Sequence, residues 1–363
     1  MGIEQTIRNA ICAAVIQRYH KKHHRQANRI LNSIESERGP TDISLIKKAD
    51  QYATEILGWK GYAPWLYVSS AVNGRFKEGW IPDNYYGRIV VPLTKGDYGN
   101  ISDYNALASR LFKEHNAFES IVPDIAYYAN GLFLSKSLDI IPASKLINHL
   151  FSDTDRVVFK KDNSLQGKGI YIYNKLDLSP DAITKLGNGV FQKYIKQHDL
   201  LSEISPTSVA TLRITTVMEN TGAATVRSSY LKIGRSADSH IKQGYSIRIP
   251  VNLSNGELNA KAFLPSWCTT EHHPDTGVKF GDIHIPLFSE CLKTVLQLHK
   301  HVPFARCIGW DITVDHHDSI KLIEWNGSHN DIKFSEATQG PCFTGMEWEN
   351  LWKMPYSPKI SVR

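Results

Sequence analysis

The feature that most constrains the fold is a pair of short β-prone runs near the C-terminal end. The run DITV begins at Asp311 and the run IKLIEW begins at Ile320, and only the polar segment DHHDS separates them. This spacing predicts a β-hairpin. If the turn is centred between His317 and Asp318, Asp311 lies opposite Glu324.

The predicted hairpin brings three oxygen-bearing side chains together. Side chains alternate along a strand, so Glu324 and Asn326 share a face, and Asp311 joins them across the hairpin. Facing carboxylates repel each other unless a divalent cation lies between them, and hard oxygen ligands favour magnesium. The hairpin therefore predicts a magnesium site. The alternative is an edge hairpin with solvated acidic side chains, because a turn shifted by one residue would scatter the three residues.

Composition indicates an ordinary globular protein. With 363 residues, of which 42% are hydrophobic, the chain can bury a large core and form two or three lobes around one site. It has no run of about eighteen apolar residues, and the early stretch ICAAVI is too short for a signal peptide core. The five cysteines are widely spaced without a CxxC pair, which argues against a disulfide framework and a zinc site. These features predict a cytoplasmic protein.

Much of the formal net charge of +6 lies early, in the segment RYHKKHHRQANR from Arg18 to Arg29. A helix of this composition could rest on anionic lipid or on an acidic partner. Because the segment lacks a strong aromatic face, the interpretation favoured from sequence is a solvated helical face. His20 and His24 have no acidic or cysteine partner nearby in sequence, and we expect them at the surface.

The apolar pattern predicts a helical opening followed by a strand-rich remainder. Residues 1–60 are predicted to be helical with a break at Gly39-Pro40, and residues 59–99 to be loop-rich and to end in a short strand, RIVVPL. Further helices are predicted at 104–116, 140–150 and 288–299. Runs such as VVFK, IYIY, VFQKYI, RITTVM, SSYLKI and SIRIPVNL lie between Gly, Asn and Asp turns. The predicted fold class is α+β with antiparallel sheets.

A glycine-rich hairpin is the second informative segment. In RVVFKKDNSLQGKGIYIYN, Gly167 and Gly169 let the backbone approach a ligand, and Lys160 and Lys168 add positive charge, which suits polyphosphate. The segment is neither a Walker loop nor a dinucleotide fingerprint, because GxxxxGK[ST] and GxGxxG leading into a helix are both absent. A simple hairpin with a tolerant turn is the alternative.

Several segments together resemble a known family. The stretches that carry the resemblance are VVFKKDNSLQGKGI, FQKYIKQHDLL, SVATLRITT and IGWDI followed by LIEWN. Over roughly residues 100–345, the chain resembles the sugar-transfer-associated ATP-grasp branch. This resemblance implies the ATP-grasp fold, in which two α+β lobes with antiparallel sheets clasp ATP. The implied domains are a helical and loop-rich N-terminal region (1–100), a first lobe with the glycine-rich flap (101–195), a second lobe with the metal and substrate site (196–350) and a tail (351–363).

The resemblance also implies roles for individual residues. Arg213 stabilises charge on a transferring phosphoryl group. Independently of the resemblance, we expect the carboxylate substrate near Arg213, Lys232 and Arg235, because fixed cations suit an anion. The implied magnesium ligands match the hairpin prediction. The implied ATP-binding residues are Lys160, the flap residues Gln166, Gly167, Lys168 and Gly169, the hinge residues Gln192, Lys193, Tyr194 and Ile195, and His198 or Asp199 near the ribose.

Other positions depart from the family or stay open. Asn105 stands where most ATP-grasp enzymes carry a second nucleotide lysine, and Lys113 or Lys136 could substitute. The segment 328–330 follows the metal strand and could contact substrate, although His329 could equally be structural. Arg213 could also serve in a structural salt bridge.

The expected function is ATP- and Mg²⁺-dependent joining of a carboxylate to an amine through an acyl phosphate. The expected partners are a small-molecule carboxylate and amine, such as an amino acid and an amino sugar, in bacterial surface polysaccharide or related biosynthesis, with peripheral association to a membrane-bound glycan assembly. An ATP-grasp phosphotransferase and a non-catalytic ATP-binding protein are the alternatives. A nucleic-acid binder is disfavoured, because no RNP, KH or helix-turn-helix signature accompanies the basic segment.

Overall fold

The computed structural model describes residues 3–112, 118–164, 169–235, 240 and 246–354. The chain forms two compact units. The first takes in the described parts of Met1–Gly96, Ser266–Cys268 and Asp331–Arg363, and the second those of Asp97–Pro265 and Thr269–Asn330. Residues 331–354 thus belong to the same unit as the N-terminal region, whereas the predicted second lobe extends to residue 350. The limits of the two predicted lobes stay predictions.

Helices make up the first unit and flank the sheets of the second. The α-helices are α1 (Ile3–Arg38), α2 (Ile43–Glu55), α3 (Ala63–Asn73), α4 (Asp83–Tyr85), α5 (Val91–Thr94), α6 (Asn105–Leu111), α7 (Ala143–Leu150), α8 (Pro180–Leu186), α9 (Asp199–Ile204), α10 (Phe288–Lys300) and α11 (Lys333–Gln339). Shorter 3₁₀ segments lie at Lys60–Tyr62, Gly96–Asp103, Phe118–Ser120 and Trp348–Lys353, and a π-helical turn lies at Tyr86–Val90. In the part of the chain that the structure describes, no helix is both long and apolar enough to cross a bilayer.

Within the described residues, all strands lie in the second unit. They are β1 (Asp124–Ala129), β2 (Leu132–Ser135), β3 (Arg156–Lys161), β4 (Ile170–Asn174), β5 (Gly189–Lys193), β6 (Thr211–Met218), β7 (Ala224–Ile233), β8 (Ile247–Pro250), β9 (Ala262–Phe263), β10 (Thr269–Thr270), β11 (Cys307–Val314) and β12 (Ile320–Asn326). The smaller sheet has the order β2-β1-β5-β3-β4 and the larger β10-β9-β8-β7-β6-β11-β12. Every pairing between these strands is antiparallel. The predicted α+β class with antiparallel sheets and a helical N-terminal region is confirmed.

Helix α1 packs through a stripe of residues three and four apart. Ala27, Ile30 and Ile34 are buried at this spacing, which places them on one helical face. His20 lies on the same face and is only 6% exposed, with its ring 4.5 Å from that of Trp59. The surface location predicted for His20 is therefore wrong. Its burial lowers the pKa of His20 to about 4 and keeps the ring neutral.

The break between α1 and α2 follows the predicted punctuation. Gly39 adopts φ +86°, a left-handed conformation that favours glycine, and its N–H caps the end of α1 by donating to Glu35. Helix α2 then begins after Asp42, whose carboxylate accepts a hydrogen bond from the Ser44 N–H at 2.7 Å.

The segment RIVVPL is helical, so the predicted strand is wrong. Its first half forms the π-helical turn and its second half forms α5, where Pro92 occupies an early helical position. Much of the predicted loop-rich stretch is also helical, because α3 lies within it. A short apolar run does not distinguish a strand from a buried helix by periodicity alone, and here the buried neighbours Tyr85, Tyr86 and Val90 favour the helix.

Each sheet has a core on one face. On the five-stranded sheet, Val157, Phe159 and Phe191 pack against Leu146 and Leu150 of α7. On the seven-stranded sheet the core is larger and includes residues from α9 and α10 with alternate residues of β6 and β11; its central members are Ile204, Leu212, Ile214, Val295, Leu298, Trp310 and Ile312.

A chain of hydrogen bonds crosses this larger core. The Trp310 indole N–H donates to Thr216 Oγ1 at 2.7 Å, Thr216 Oγ1 and His299 Nδ1 lie 2.6 Å apart, and His299 Nε2 lies 3.0 Å from the Ala305 carbonyl. A carbonyl can only accept, so His299 Nε2 carries the proton and Nδ1 accepts from the Thr216 hydroxyl. The buried polar side-chain atoms of Trp310, Thr216 and His299 therefore all have hydrogen-bond partners.

Candidate functional site

The β11–β12 hairpin has the predicted pairing at its functional end. Asp311 lies opposite Glu324 and Gly309 lies opposite Asn326, so Asp311, Glu324 and Asn326 share a face. The turn is one residue tighter than predicted, because Ile312 pairs with Leu322. A β-bulge between these pairs restores the register.

The bulge gives Lys160 a partner. Ile323 is the extra residue between Leu322 and Glu324, and its carbonyl accepts a hydrogen bond from Lys160 Nζ at 2.7 Å. Lys160 lies on β3 of the five-stranded sheet, so this bond joins the two sheets of the second unit. Burial lowers the pKa of Lys160 to about 8, although Glu324, Asp124 and Asp311 oppose the shift.

Arg213 of β6 and Asp311 form a buried bidentate ion pair. Arg213 Nε and Nη2 donate to the two carboxylate oxygens at 2.6 and 2.7 Å, and Lys232 Nζ of β7 lies 2.9 Å from Oδ1. Although burial opposes ionisation, the adjacent guanidinium and ammonium lower the pKa of Asp311 from 3.8 to about 2. Burial lowers the pKa of Lys232, and Asp311 offsets part of that shift. The structure thus brings together three residues that the sequence had placed on separate strands.

Asn330 and Gly309 hold Arg213 from the other side. Arg213 Nη1 donates to Asn330 Oδ1 at 3.3 Å, and Asn330 Nδ2 donates to Thr215 Oγ1 at 3.1 Å. A Cβ at Gly309 would lie 2.2 Å from Asn330 Oδ1, so only glycine leaves room for this contact. Asn330 is fully buried, and its predicted contact with substrate stays a prediction.

Glu324 and Asn326 lie beside the ion pair with unused oxygen atoms. Among the described residues, the Glu324 carboxylate receives no hydrogen bond, and desolvation and the charge of Asp311 raise its pKa. Asn326 Nδ2 points to Asp311 Oδ2 at 3.4 Å and the Gly309 carbonyl at 3.3 Å, which leaves its amide oxygen as a potential ligand.

These oxygen atoms fit magnesium in their chemistry, whereas Asp311 is engaged with Arg213 and Lys232. Over the described parts of the chain, no group of three or more His, Cys, Asp or Glu side chains is arranged to hold a metal ion. The magnesium role of the hairpin stays a prediction.

The five-stranded sheet contributes a second polar group on the face of Lys160. Val158 pairs with Gln192 and Lys160 pairs with Val190, so Lys160 and Gln192 share a face. Gln192 Nε2 donates to Asp124 Oδ1 of β1 at 2.8 Å, while its own amide oxygen is buried and has no hydrogen-bond partner in the described parts of the chain. An unsatisfied buried acceptor on this face is a place for a ligand donor.

Residues 181–346 match the family model described as sugar-transfer associated ATP-grasp. The predicted family is confirmed over this segment. The segment begins at α8, so it contains the hinge strand β5 and the whole Arg213 cluster but not Lys160. The comparison with curated proteins gave no match.

The chain is similar to several solved structures of enzymes, at low identity. A biotin carboxylase–βγ-ATP complex from Campylobacter jejuni has 12% identity and a TM-score of 0.47, over 90% of this chain and 67% of its own. An ADP complex of N5-carboxyaminoimidazole synthetase from Staphylococcus aureus has 14% identity and a TM-score of 0.41, over 66% and 48%. A D-alanine–D-alanine ligase from Coxiella burnetii has 10% identity and a TM-score of 0.39, over 70% and 56%. The chain spans about half the length of the Staphylococcus aureus synthetase (45% and 48% in two structures).

The remaining hinge residues lie around β5 with partners of their own. Lys193 Nζ pairs with Asp153 at 2.6 Å, and the Arg156 guanidinium lies 5.1 Å from the Tyr194 ring. Ile195 is half-buried. The predicted contact of the hinge backbone with adenine stays a prediction.

The two residues predicted near the ribose lie at the start of α9. His198 caps this helix, because its Nδ1 accepts a hydrogen bond from the Leu200 N–H at 3.1 Å, and its Nε2 lies 3.5 Å from Asp318. Asp199 is exposed in the first turn. The His198 ring therefore has a local structural use.

Arg235 does not join the Arg213 cluster. It forms a bidentate ion pair with Asp275, with Nε at 2.7 Å and Nη2 at 2.5 Å from the carboxylate oxygens, and its side chain is 45% exposed. Its predicted role toward substrate finds no support in this ion pair.

The glycine loop lies partly outside the described residues. Gln166, Gly167 and Lys168 fall there, as does Lys113. Gly169 is described, and a Cβ on it would lie 2.2 Å from Ser164, so the hairpin requires glycine at this position. Asn105, which replaces the family lysine, braces the same hairpin by donating to the Lys161 carbonyl at 3.1 Å.

Asp124 was not predicted from the sequence, and neither was the contact of Asn330 with Arg213. Asp124 opens the aromatic run DIAYYA, which resembles the other strand signals and could have been read as one. Asn330 has no local signal, because its role depends on the missing side chain of Gly309.

Proposed function

We propose that the chain is an ATP-dependent ligase that joins a carboxylate to an amine through an acyl phosphate. The observation that carries the proposal is the buried cluster of Arg213, Lys232 and Asp311 beside Glu324 and Asn326, within a segment that matches an ATP-grasp family. Fixed donors in a partly desolvated site suit a reaction whose charge develops on a phosphoryl group.

The charges around the site are nearly balanced. Arg213, Lys232 and Lys160 provide three positive charges, and Asp311, Glu324 and Asp124 provide three carboxylates. A bare cation entering here meets the two cations that hold Asp311, whereas a polyphosphate that enters with the cation supplies compensating negative charge. The arrangement therefore favours joint binding of Mg²⁺ and ATP.

Arg213 and Lys160 have separate roles toward the phosphates. Three N–H groups of Arg213 bind Asp311 and Asn330, and the described residues offer no acceptor to the others. These N–H groups stabilise the transferring phosphoryl group. Lys160 exchanges the Ile323 carbonyl for a phosphate oxygen, which its flexible side chain permits.

Glu324 and Asn326 would hold magnesium, and Asp311 would join them by giving up one contact of its carboxylate. When bound, the metal neutralises phosphate charge. The hinge from Gln192 to Ile195 takes the adenine, with the unsatisfied Gln192 oxygen as one acceptor.

The substrate carboxylate attacks the terminal phosphorus of ATP and releases ADP. The amine then attacks the acyl carbon, forms the amide and releases phosphate and a proton. Lys232 lies beside the transferring group and binds the carboxylate substrate. Ser328 and His329, which are accessible, remain candidates for contact with the amine.

The substrates proposed are an amino acid or similar carboxylate and an amino sugar, in bacterial surface polysaccharide or related biosynthesis. Support for this choice comes from the family description, which associates these ATP-grasp proteins with sugar transfer. We propose a cytoplasmic enzyme without a nucleic-acid partner.

The test incubates the full chain with ATP, magnesium and panels of amino acids and amino sugars, and measures ADP release and product mass. A ligase yields a product lighter than the sum of its two substrates by one water. A single substrate that gains a phosphate would assign the kinase alternative, and ATP binding without ADP release from any panel would assign a non-catalytic protein.

Glu324→Ala is the matched active-site variant. We expect it to lower turnover by about a hundredfold or more, because the site loses a metal ligand. Glu290→Ala on α10, where the side chain is 52% exposed, is the control and should keep full activity. Circular dichroism should show the same fold for both, and full activity of Glu324→Ala would contradict the proposed metal site.

A further inference from the structure

Helix α1 has an outward face that its packing does not use. Its buried residues, His20, Ala27, Ile30 and Ile34, lie on one side. On the opposite side, steps of three and four residues connect positions 7, 11, 14, 18, 22, 25 and 29. Ile7 and Arg25 are about five turns apart and point the same way. We call this line of residues the outward stripe.

The N-terminal part of the outward stripe is apolar and exposed. Ile7 is 54% exposed and Ile11 is 53% exposed, and Ala10 and Ala14 beside them are exposed as well. Isolated exposed apolar residues need no explanation, but here they form a continuous helical surface.

The C-terminal part of the same stripe is cationic. Arg18, Lys22, Arg25 and Arg29 are exposed, as is Lys21 beside them, and no ion pair is recorded for them within the described residues. The sequence between Gln5 and Ile34 contains no acidic residue. The helix therefore offers uncompensated positive charge directly after its apolar part.

We infer that the outward stripe of α1 docks on an anionic lipid surface. The apolar residues enter the boundary between headgroups and acyl chains, and the cationic residues face the anionic headgroups. A solvated face, the simpler interpretation of the basic segment, leaves Ile7 and Ile11 without a role.

Charge decides among the possible occupants. A second copy of the helix would bring cationic residues against cationic residues, and a nucleic acid would leave the apolar part uncovered. Of these three occupants, the lipid surface matches both parts at once, and the length of the stripe along one exposed helical face suits an extended anionic surface rather than a compact acidic patch. This inference concerns the first unit alone and holds whether or not the second unit is a ligase.

The test is flotation of the full chain with vesicles of phosphatidylcholine and of phosphatidylcholine with phosphatidylglycerol at seven to three. We expect binding to the anionic vesicles only, and weaker binding at 0.5 M salt because the attraction is screened. Ile7→Asp with Ile11→Asp, and Arg18→Glu with Lys22→Glu and Arg25→Glu, should each reduce binding at least tenfold.

Matched controls lie on α2. Lys47→Glu with Lys48→Glu changes charge at exposed positions, and Ile43→Asp changes an apolar residue that is 66% exposed. Both should bind vesicles as the unmodified chain does, and circular dichroism should confirm equal helix content in all variants.

Three results would overturn the inference. The first is equal binding to neutral and anionic vesicles, or none to either. The second is a concentration-dependent dimer that Ile7→Asp with Ile11→Asp abolishes, which would assign the stripe to a second copy. The third is binding to a DNA duplex that depends on Arg18, Lys22 and Arg25 without vesicle binding.

Discussion

The buried ion pair of Arg213 and Asp311 should have a large coupling energy, which a double-mutant cycle measures. The substitutions are Arg213→Met, Asp311→Asn and the two together. Arg213→Met leaves the Asp311 carboxylate buried without its guanidinium, and Asp311→Asn leaves the Arg213 guanidinium buried without its carboxylate. The double change removes both charges, so its cost should be smaller than the sum of the single costs.

The magnitude follows from the geometry. The pKa of Asp311 falls from 3.8 to about 2 in the fold, a difference equivalent to roughly 2 kcal/mol in favour of the charged form. Because the folded pKa lies below the unfolded one, this stability is present above about pH 4 and is lost as the pH falls toward 2. Removing one partner of a buried pair costs about 3–5 kcal/mol. We therefore expect a coupling energy of about 2–4 kcal/mol at pH 7.

Hydrogen exchange of peptides that cover β6 and β11 is the assay, because it reports the opening free energy of this sheet. The control is the pair of Arg235 and Asp275, which has the same bidentate geometry but a 45% exposed arginine. Its cycle, with Arg235→Met and Asp275→Asn, should give less than about 1 kcal/mol.

Two outcomes would refute the reasoning. If the cycle at Arg213 and Asp311 gave no more coupling than the exposed control, burial would not strengthen the pair. If Arg213→Met alone left the opening free energy unchanged, Lys232 would be sufficient to compensate Asp311, and the bidentate bond would have no energetic role.

Three further perturbations test other parts of the molecule. Gly309→Ala should lower the opening free energy by about 1–3 kcal/mol in the same exchange assay, because the new Cβ collides with Asn330. Gly281→Ala is the control and should be nearly neutral, because its Cβ meets ordinary contacts at 3.4 Å. ATP affinity, measured calorimetrically, should fall by about tenfold per pH unit above pH 8, because Lys160 loses its proton there. Lys160→Met should weaken ATP binding and remove this pH dependence. If Lys160→Met kept the same pH dependence as the unmodified chain, the assigned phosphate contact would be wrong. Burial raises the pKa of Glu336 from 4.5 to about 7, so the neutral form is favoured in the folded state. The stability of the first unit, measured by urea titration, should therefore decline by about 3 kcal/mol as the pH rises from 4.5 to 7. Glu336→Gln should show no such decline.

The pairing of Asp311 with Glu324 could be predicted because a hairpin is local. Turn length and side-chain alternation together specify which residues face each other. The predicted turn is nevertheless one residue too long. Asp311 lies opposite Glu324 as predicted only because the bulge at Ile323 compensates for the difference. A bulge depends on backbone geometry that a sequence pattern does not encode.

The contact of Arg213 with Asp311 could not be derived from the sequence by itself. It requires β6 and β11, which are about a hundred residues apart in the chain, to pair in one register. The same limit applies to Asn330, whose place depends on a side chain that Gly309 lacks. The strand predicted at RIVVPL failed for another reason, since neighbours in space decided between two structures that fit the same short apolar run.

The hydrogen-bonded chain from Trp310 through Thr216 to His299 has a consequence for the opposite face of the sheet. If β11 slid by one residue along β6, the Trp310 indole would leave the core and its hydrogen bond to Thr216 Oγ1 would be lost. The hydrogen bond in the core thus fixes the register of β11 on β6, and with it the position of Asp311 on the other face of the sheet. We therefore expect a mutation at His299, which contacts the core face of β6 rather than the face that carries Asp311, to misalign the site without changing any of its residues.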